Sequence, residues 1–169
     1  MSVRSAFPVL CVALLALTPT IDPGQYQSFV GNWTPPDKPL CAAIGSAAQW
    51  NQIFHPAPVM GAHRPFSPPD SFWAQHAILL VARVVDAGDT SHVFHVNAVA
   101  RGGNVATLDY AFKPTPRSSS SIKWWTGVAI ARPLPATVRY RENGQIVCSL
   151  DLAHGQWSSL TAPARQPIP

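Results

Sequence analysis

The sequence predicts an α+β fold that is mostly β, with one short N-terminal helix packed on an antiparallel sheet or a partly closed barrel of about six strands. Three observations carry that expectation. Between residues 76 and 152, six apolar or alternating runs are separated by turn-forming residues. One separator, Asn143-Gly144, lies between alternating runs, the strongest short hairpin signal. The first helical periodicity, Trp50, Ile53 and Phe54, is brief and opens on a Ser46…Gln49 capping box.

Taken in chain order, the N-terminus comes first. Arg4 supplies a positive charge, Phe7 to Leu17 is apolar, and the composition turns polar after Thr18-Pro19-Thr20. That is the order of a secretory signal peptide. The run is shorter than the roughly 20 apolar residues of a membrane-spanning helix. Residues 1–20 are therefore expected to be a leader, cut after Ala16 or Thr20, with an uncleaved anchor as the alternative. The mature chain is expected to be exported, periplasmic or extracellular, with no membrane span. Residues 21–40 read as an extended lead-in, broken by Pro23, Gly24, Pro35, Pro36 and Pro39. Asn32-Trp33-Thr34 matches a glycosylation acceptor pattern.

Residues 41–153 are expected to form a single globular domain. Pro56 should end the helix, because the residue before proline avoids helical geometry. Residues 55–71 form a proline-rich crossing whose later half is anchored by Phe66, Phe72 and Trp73. His76 to Val85 is apolar at both parities, the pattern of a central strand covered on both faces. Ser91–Ala100 and Val105–Lys113 follow across two turns, so these three runs read as an antiparallel meander. Ala106, Leu108, Tyr110 and Phe112 should point inward. After a loop at 114–121 with four serines comes Lys123–Arg132, and then the hairpin of 137–141 and 145–152. In that hairpin Val138, Tyr140, Ile146, Cys148, Leu150 and Leu152 should face the core. Residues 154–169 read as a flexible tail.

The 169 residues are 47% hydrophobic and 12% charged, which excludes disorder for the middle of the chain. A formal charge of +4 permits an anionic partner without demanding one, and is small for a nucleic-acid binder. Of three cysteines, Cys11 would leave with the leader. Cys41 and Cys148 remain, and the sequence leaves open one disulfide in an oxidising compartment or two buried thiols.

Catalytic chemistry has little support. His92-x-x-His95 has metal-like spacing, but residues three apart on a strand face opposite ways. No nucleophile elbow is present, Glu142 is the only glutamate, and Asp86 and Asp89 flank a turn glycine. No enzyme activity, catalytic residue, metal or cofactor is expected. The least ordinary stretch is basic and aromatic, Lys113 to Arg141. Adjacent tryptophans on a strand face opposite ways, and the parity of Trp124, Val128 and Ile130 selects Trp125 for the surface. Trp125 with Lys123, Arg132, Arg139 and Arg141 is the candidate ligand-binding set, suited to an anionic glycan or a protein contact.

The layout of residues 44–148 also resembles the C-terminal domain of the PrcB-like, protease-complex-stability family. The resemblance lies in Trp50-x-x-Ile53-Phe54, the proline-rich crossing, Phe72 before the apolar strand at 78–85, the acidic turn with its glycine, and the late apolar strand at 126–131. Where that family has Thr-Gly-Gly-Tyr, this chain has Ser91-His92-Val93-Phe94. The resemblance implies an exported accessory domain that binds and stabilises another protein, often a protease, and it implies no catalytic residues. The functional expectation is thus a non-catalytic protein-binding domain. The alternatives are an envelope module for a polysaccharide or other anion, and, least supported, a metal- or cysteine-dependent hydrolase.

Overall fold

The computed structural model describes residues 19–31, 37–56 and 63–160. Most of the expected leader, the glycosylation pattern and the end of the tail lie outside them. The fold class is as expected, α+β and mostly β, and all six anticipated strands form.

The chain builds two four-stranded sheets. The first has the order β1 (Thr20–Ile21), β8 (Ser121–Ala131), β5 (His76–Asp86), β3 (Leu40–Ile44), all antiparallel. The second has the order β10 (Gln145–Asp151), β9 (Thr137–Glu142), β7 (Val105–Phe112), β6 (Phe94–Gly102). In it β6–β7 and β9–β10 are antiparallel hairpins, joined by a parallel β7–β9 pair. A small ribbon, β2 (Ser28–Val30) with β4 (Phe54–Pro56), joins helices α1 (Ala47–Ile53) and α2 (Asp70–Gln75) outside the first sheet.

Three layers follow, with two cores. Alternate residues of β5 serve each: Ile78, Leu80 and Ala82 meet Trp50, Ile53, Phe54 and Trp73 on the helical side. Ala77, Leu79 and Val81 meet Leu108, Tyr110, Val138, Tyr140 and Leu150 of the second sheet. This is why β5 is apolar at both parities. The helical core is built around Trp50, stacked on Phe54 at 4.1 Å between centroids and edge-on to Trp125 at 5.9 Å. The indole N–H groups of Trp50 and Trp73 donate to the carbonyls of Phe66 and Pro68, each at 3.0 Å, so neither buries an unpaired donor.

Helix α1 starts as its sequence dictates. Ser46 Oγ accepts from the Gln49 amide at 3.2 Å, and Gln49 Oε1 accepts from the Gly45 amide at 2.6 Å. The helix ends at Ile53, one residue early, because Phe54 turns into β4. Helix α2 was not expected. Its prolines flank rather than interrupt it: Pro68 and Pro69 precede Asp70, whose carboxylate suits a first turn.

The meander expectation is corrected. β5 pairs with β3 and β8, and β6 lies in the other sheet. The segment between β5 and β6, residues 87–93, is too long for a tight hairpin and carries the chain across. Ile146 is also corrected, being 51% exposed. The β9–β10 register shifts between Ile146 and Cys148, so Ile146 opposes outward Arg141 while Cys148 opposes inward Tyr140. The expected flexible tail is ordered through its start. Ser158 bridges Ala42, with Trp157 O accepting from the Ala43 amide and the Ser159 amide donating to Cys41 O, both at 2.8 Å. These bonds cover the outer edge of β3. At the other end Thr20 and Ile21 pair with Val128 and Gly127, so the expected leader boundary at residue 20 falls inside β1.

Cys41 and Cys148 are free thiols. Cys41 is buried on β3 and Cys148 is half-buried on β10, both in the core between the two sheets. Beside them a buried ion pair joins the sheets. Arg83 grips both carboxylate oxygens of Glu142, at 2.5 and 3.2 Å. Tyr110 donates to the same carboxylate at 2.9 Å, and the guanidinium lies 5.0 Å from the centre of the Phe112 ring. Burial is the main force raising the phenols of Tyr110 and Tyr140, so both act as donors at neutral pH.

Candidate functional site

A cleft lies where the 23–29 segment passes the start of β8. It measures about 340 Å³, within the range of small-ligand sites. Tyr26, Phe29 and Trp124 supply its aromatic surface, Trp125 its floor, Gln27 a polar group, and Arg64 and Lys123 its positive charge. A second hollow of about 390 Å³ shares Pro23, Trp124 and Trp125 and continues toward Thr90, Ser91 and Phe94.

Each wall is held from behind. A turn of 3-10 helix, Pro23–Gln25, is capped by Asp22, whose carboxylate accepts from the Gly24 amide at 2.8 Å. It sets Tyr26 edge-on to buried Trp50, centroids 5.1 Å apart. Burial raises the Tyr26 phenol above its ordinary range, so its hydroxyl remains protonated at neutral pH and available to donate. Phe29 leans on His55 at 5.9 Å with half its surface exposed. Lys123 Nζ donates to the Gly31 carbonyl, which tethers the stem and holds the ammonium at the cleft. Ser28 Oγ is buried without a hydrogen-bond partner among the described residues.

Only part of the sequence-derived binding set converges here. Lys123 lines the cleft. Trp125 does too, but it is 2% exposed and belongs to the helical core. The expected assignment of the two tryptophans is reversed, and Trp124 is the accessible one. The reason is that β8 has a core on each face, so parity alone cannot separate inside from outside. Trp125 turns toward Trp50 and Phe54, while Trp124 stands near the end of the strand beyond the packed part of the other face.

The arginines lie elsewhere. Arg132 Nε donates to the Trp73 carbonyl at 3.0 Å and its Nη2 to the Gly45 carbonyl, so it fastens the ends of both helices. Arg139 and Arg141 are exposed on the outer face of the second sheet, away from the cleft, and Arg141 pairs with Asp109 at 3.3 Å. Sequence reasoning missed Tyr26, Phe29 and Arg64. They sit in proline-rich segments without periodicity, and only the tertiary fold brings them to β8.

His92 sits in the turn before β6 and His95 on its exposed face. Among the described residues, no three His, Cys, Asp or Glu side chains are grouped to hold a metal ion. Also among them, no helix is long and apolar enough to cross a membrane. No protein-family model matches the chain, and neither the curated proteins nor the solved structures include a match.

Proposed function

We propose that this chain is an exported, non-catalytic binding domain that holds an acidic glycan in the cleft against Trp124. The observation that supports this reading is the combination of three aromatic side chains with two cations around one cleft. Sugar rings present C–H faces that pack on aromatic rings, and their carboxylates attract Arg and Lys. In this reading Trp124 and Tyr26 supply stacking surface, while Lys123 and Arg64 select for negative charge. Processing after Ala16 rather than Thr20 would keep β1 whole.

The test is tryptophan fluorescence titration with an oligogalacturonate, using a neutral maltooligosaccharide of equal length as control. The acidic sugar should bind with an affinity that falls as salt rises. Trp124→Ala should weaken it at least tenfold, and Arg139→Glu with Arg141→Glu should leave it unchanged. Equal binding of the neutral sugar, or loss of binding on the Arg139 and Arg141 reversals alone, would sink the reading.

A protein-binding accessory role has one specific observation in its favour. Among the described residues β10 is an unpaired sheet edge, and its Ile146 and Val147 are exposed, 51% and 37%. Under that reading, Val147→Glu should abolish a near-stoichiometric cross-link to an envelope protein, while Trp124→Ala should not.

A further inference from the structure

We propose that Cys148 and Cys41 form a thiol–disulfide exchange pair, in which Cys148 reacts with an external disulfide and Cys41 then closes the bond across the two sheets. The arrangement is built by the backbone. An extra residue in β10 near Val147 turns Cys148 inward, opposite Tyr140. The Tyr140 hydroxyl donates to the carbonyl of Ala42, the residue next to Cys41, at 2.6 Å. Strands β3 and β10 approach within 8 Å between Cα atoms, and both cysteines pack in the same inter-sheet core. On its outer side the Cys41 amide donates to Ser159 Oγ at 3.2 Å. Two sulfurs are thus held together on separate layers, each backed by fixed main chain.

The two are not equivalent. Cys41 is wholly buried, while Cys148 is only partly buried, on β10, an edge strand of its sheet among the described residues. The neighbouring Cys41 thiol pulls Cys148 below its ordinary pKa, and burial pushes Cys41 well above. That order favours Cys148 as the attacking thiolate. Cys148 attacks one sulfur of a low-molecular-weight or protein disulfide, forms a mixed disulfide and releases one thiolate, which takes up a proton. Cys41 then loses its proton and attacks the Cys148 sulfur, expelling the second half of the donor as a thiol. Two thiols of this chain are oxidised, and one donor disulfide is reduced to two thiols. The product staples an edge strand of each sheet.

The experiment uses the folded full-length chain incubated with oxidised glutathione, quenched in acid, alkylated and mapped by peptide mass, which also resolves Cys11. A glutathione adduct on Cys148 should appear first and decay into a Cys41–Cys148 linked peptide. Cys41→Ser should trap the adduct on Cys148, and Cys148→Ser should leave Cys41 unmodified until the protein is denatured. Closing a loop of about a hundred residues should raise Tm by roughly 10 °C over the reduced protein. If both thiols of the wild-type protein remain alkylatable, or the adduct accumulates without closing, the proposal fails. The order of wild-type species decides the matter even if a serine variant does not fold.

Discussion

Removing the Glu142 carboxylate should cost more stability than any other single change at a charged residue described here. In Glu142→Leu, Arg83 keeps its charge with only about an eighth of its side chain exposed, 12%, and loses two of its hydrogen bonds. Tyr110 loses its acceptor as well. Breaking a buried pair from one side costs about 3–5 kcal/mol. Arg83 retains the Asp37 carbonyl at 2.8 Å and the face of Phe112, so the lower end, about 3 kcal/mol, applies. With a urea m-value of about 2 kcal/mol/M for a chain of this size, the midpoint should fall by about 1.5 M. Arg83→Met combined with Glu142→Leu should recover much of the loss, because the charge left stranded by the single change is gone. Urea unfolding followed by tryptophan fluorescence reads all four proteins of the cycle. A midpoint shift below about 0.3 M, or effects of Arg83→Met and Glu142→Leu that simply add, would refute the claim that these side chains act as one buried unit.

Three further outcomes are expected. Gly127→Ala should destabilise by about 1–3 kcal/mol in the same assay, because a Cβ there would lie 2.8 Å from Ile78 Cγ2 in a filled core. Ser28→Ala should leave stability unchanged or slightly raised, since it removes a buried hydroxyl without a partner among the described residues; a loss above 1 kcal/mol would show that the hydroxyl is satisfied. The Asp151 carboxyl, held down chiefly by its hydrogen bond with His154 at 2.7 Å, should titrate below an ordinary aspartate. Its stabilising contribution is therefore present above the unfolded pKa and lost as pH falls through the folded one. A carbon-detected NMR titration should show His154→Ala moving that carboxyl back up.

The strands were legible because alternation survives in any sheet. Leu108 and Tyr110 had to be inward once Thr107 and Asp109 were outward, and Asn143-Gly144 located the last turn without reference to anything distant. The partition into two sheets was not legible. A run apolar at both parities reveals that β5 is covered on both faces, but it cannot say whether helices or strands cover it. The same ambiguity reversed Trp124 and Trp125, because a strand between two cores has no outward parity. What decides their fates is position along β8, where Trp125 meets Trp50 and Phe54 and Trp124 lies beyond the packed part of the other face. Of the cleft, only Lys123 and the tryptophans carried a local signal. Tyr26, Phe29 and Arg64 contribute through contacts spanning much of the chain.

The parallel pairing of β7 with β9 governs how the molecule can assemble. Between those two strands the chain leaves the second sheet, lays β8 into the middle of the first, and returns. At the other extreme, residue 20 meets residue 128. Neither sheet can be completed from a contiguous stretch, so folding must close long loops before it gains the contacts that reward them. A chain emerging N-terminus first would hold β5 without β8 until residue 131 follows, and β7 without β9 until residue 142. Refolding should accordingly lie at the slow, millisecond-to-second end of the range for domains of this size, with both cores appearing in a single kinetic phase.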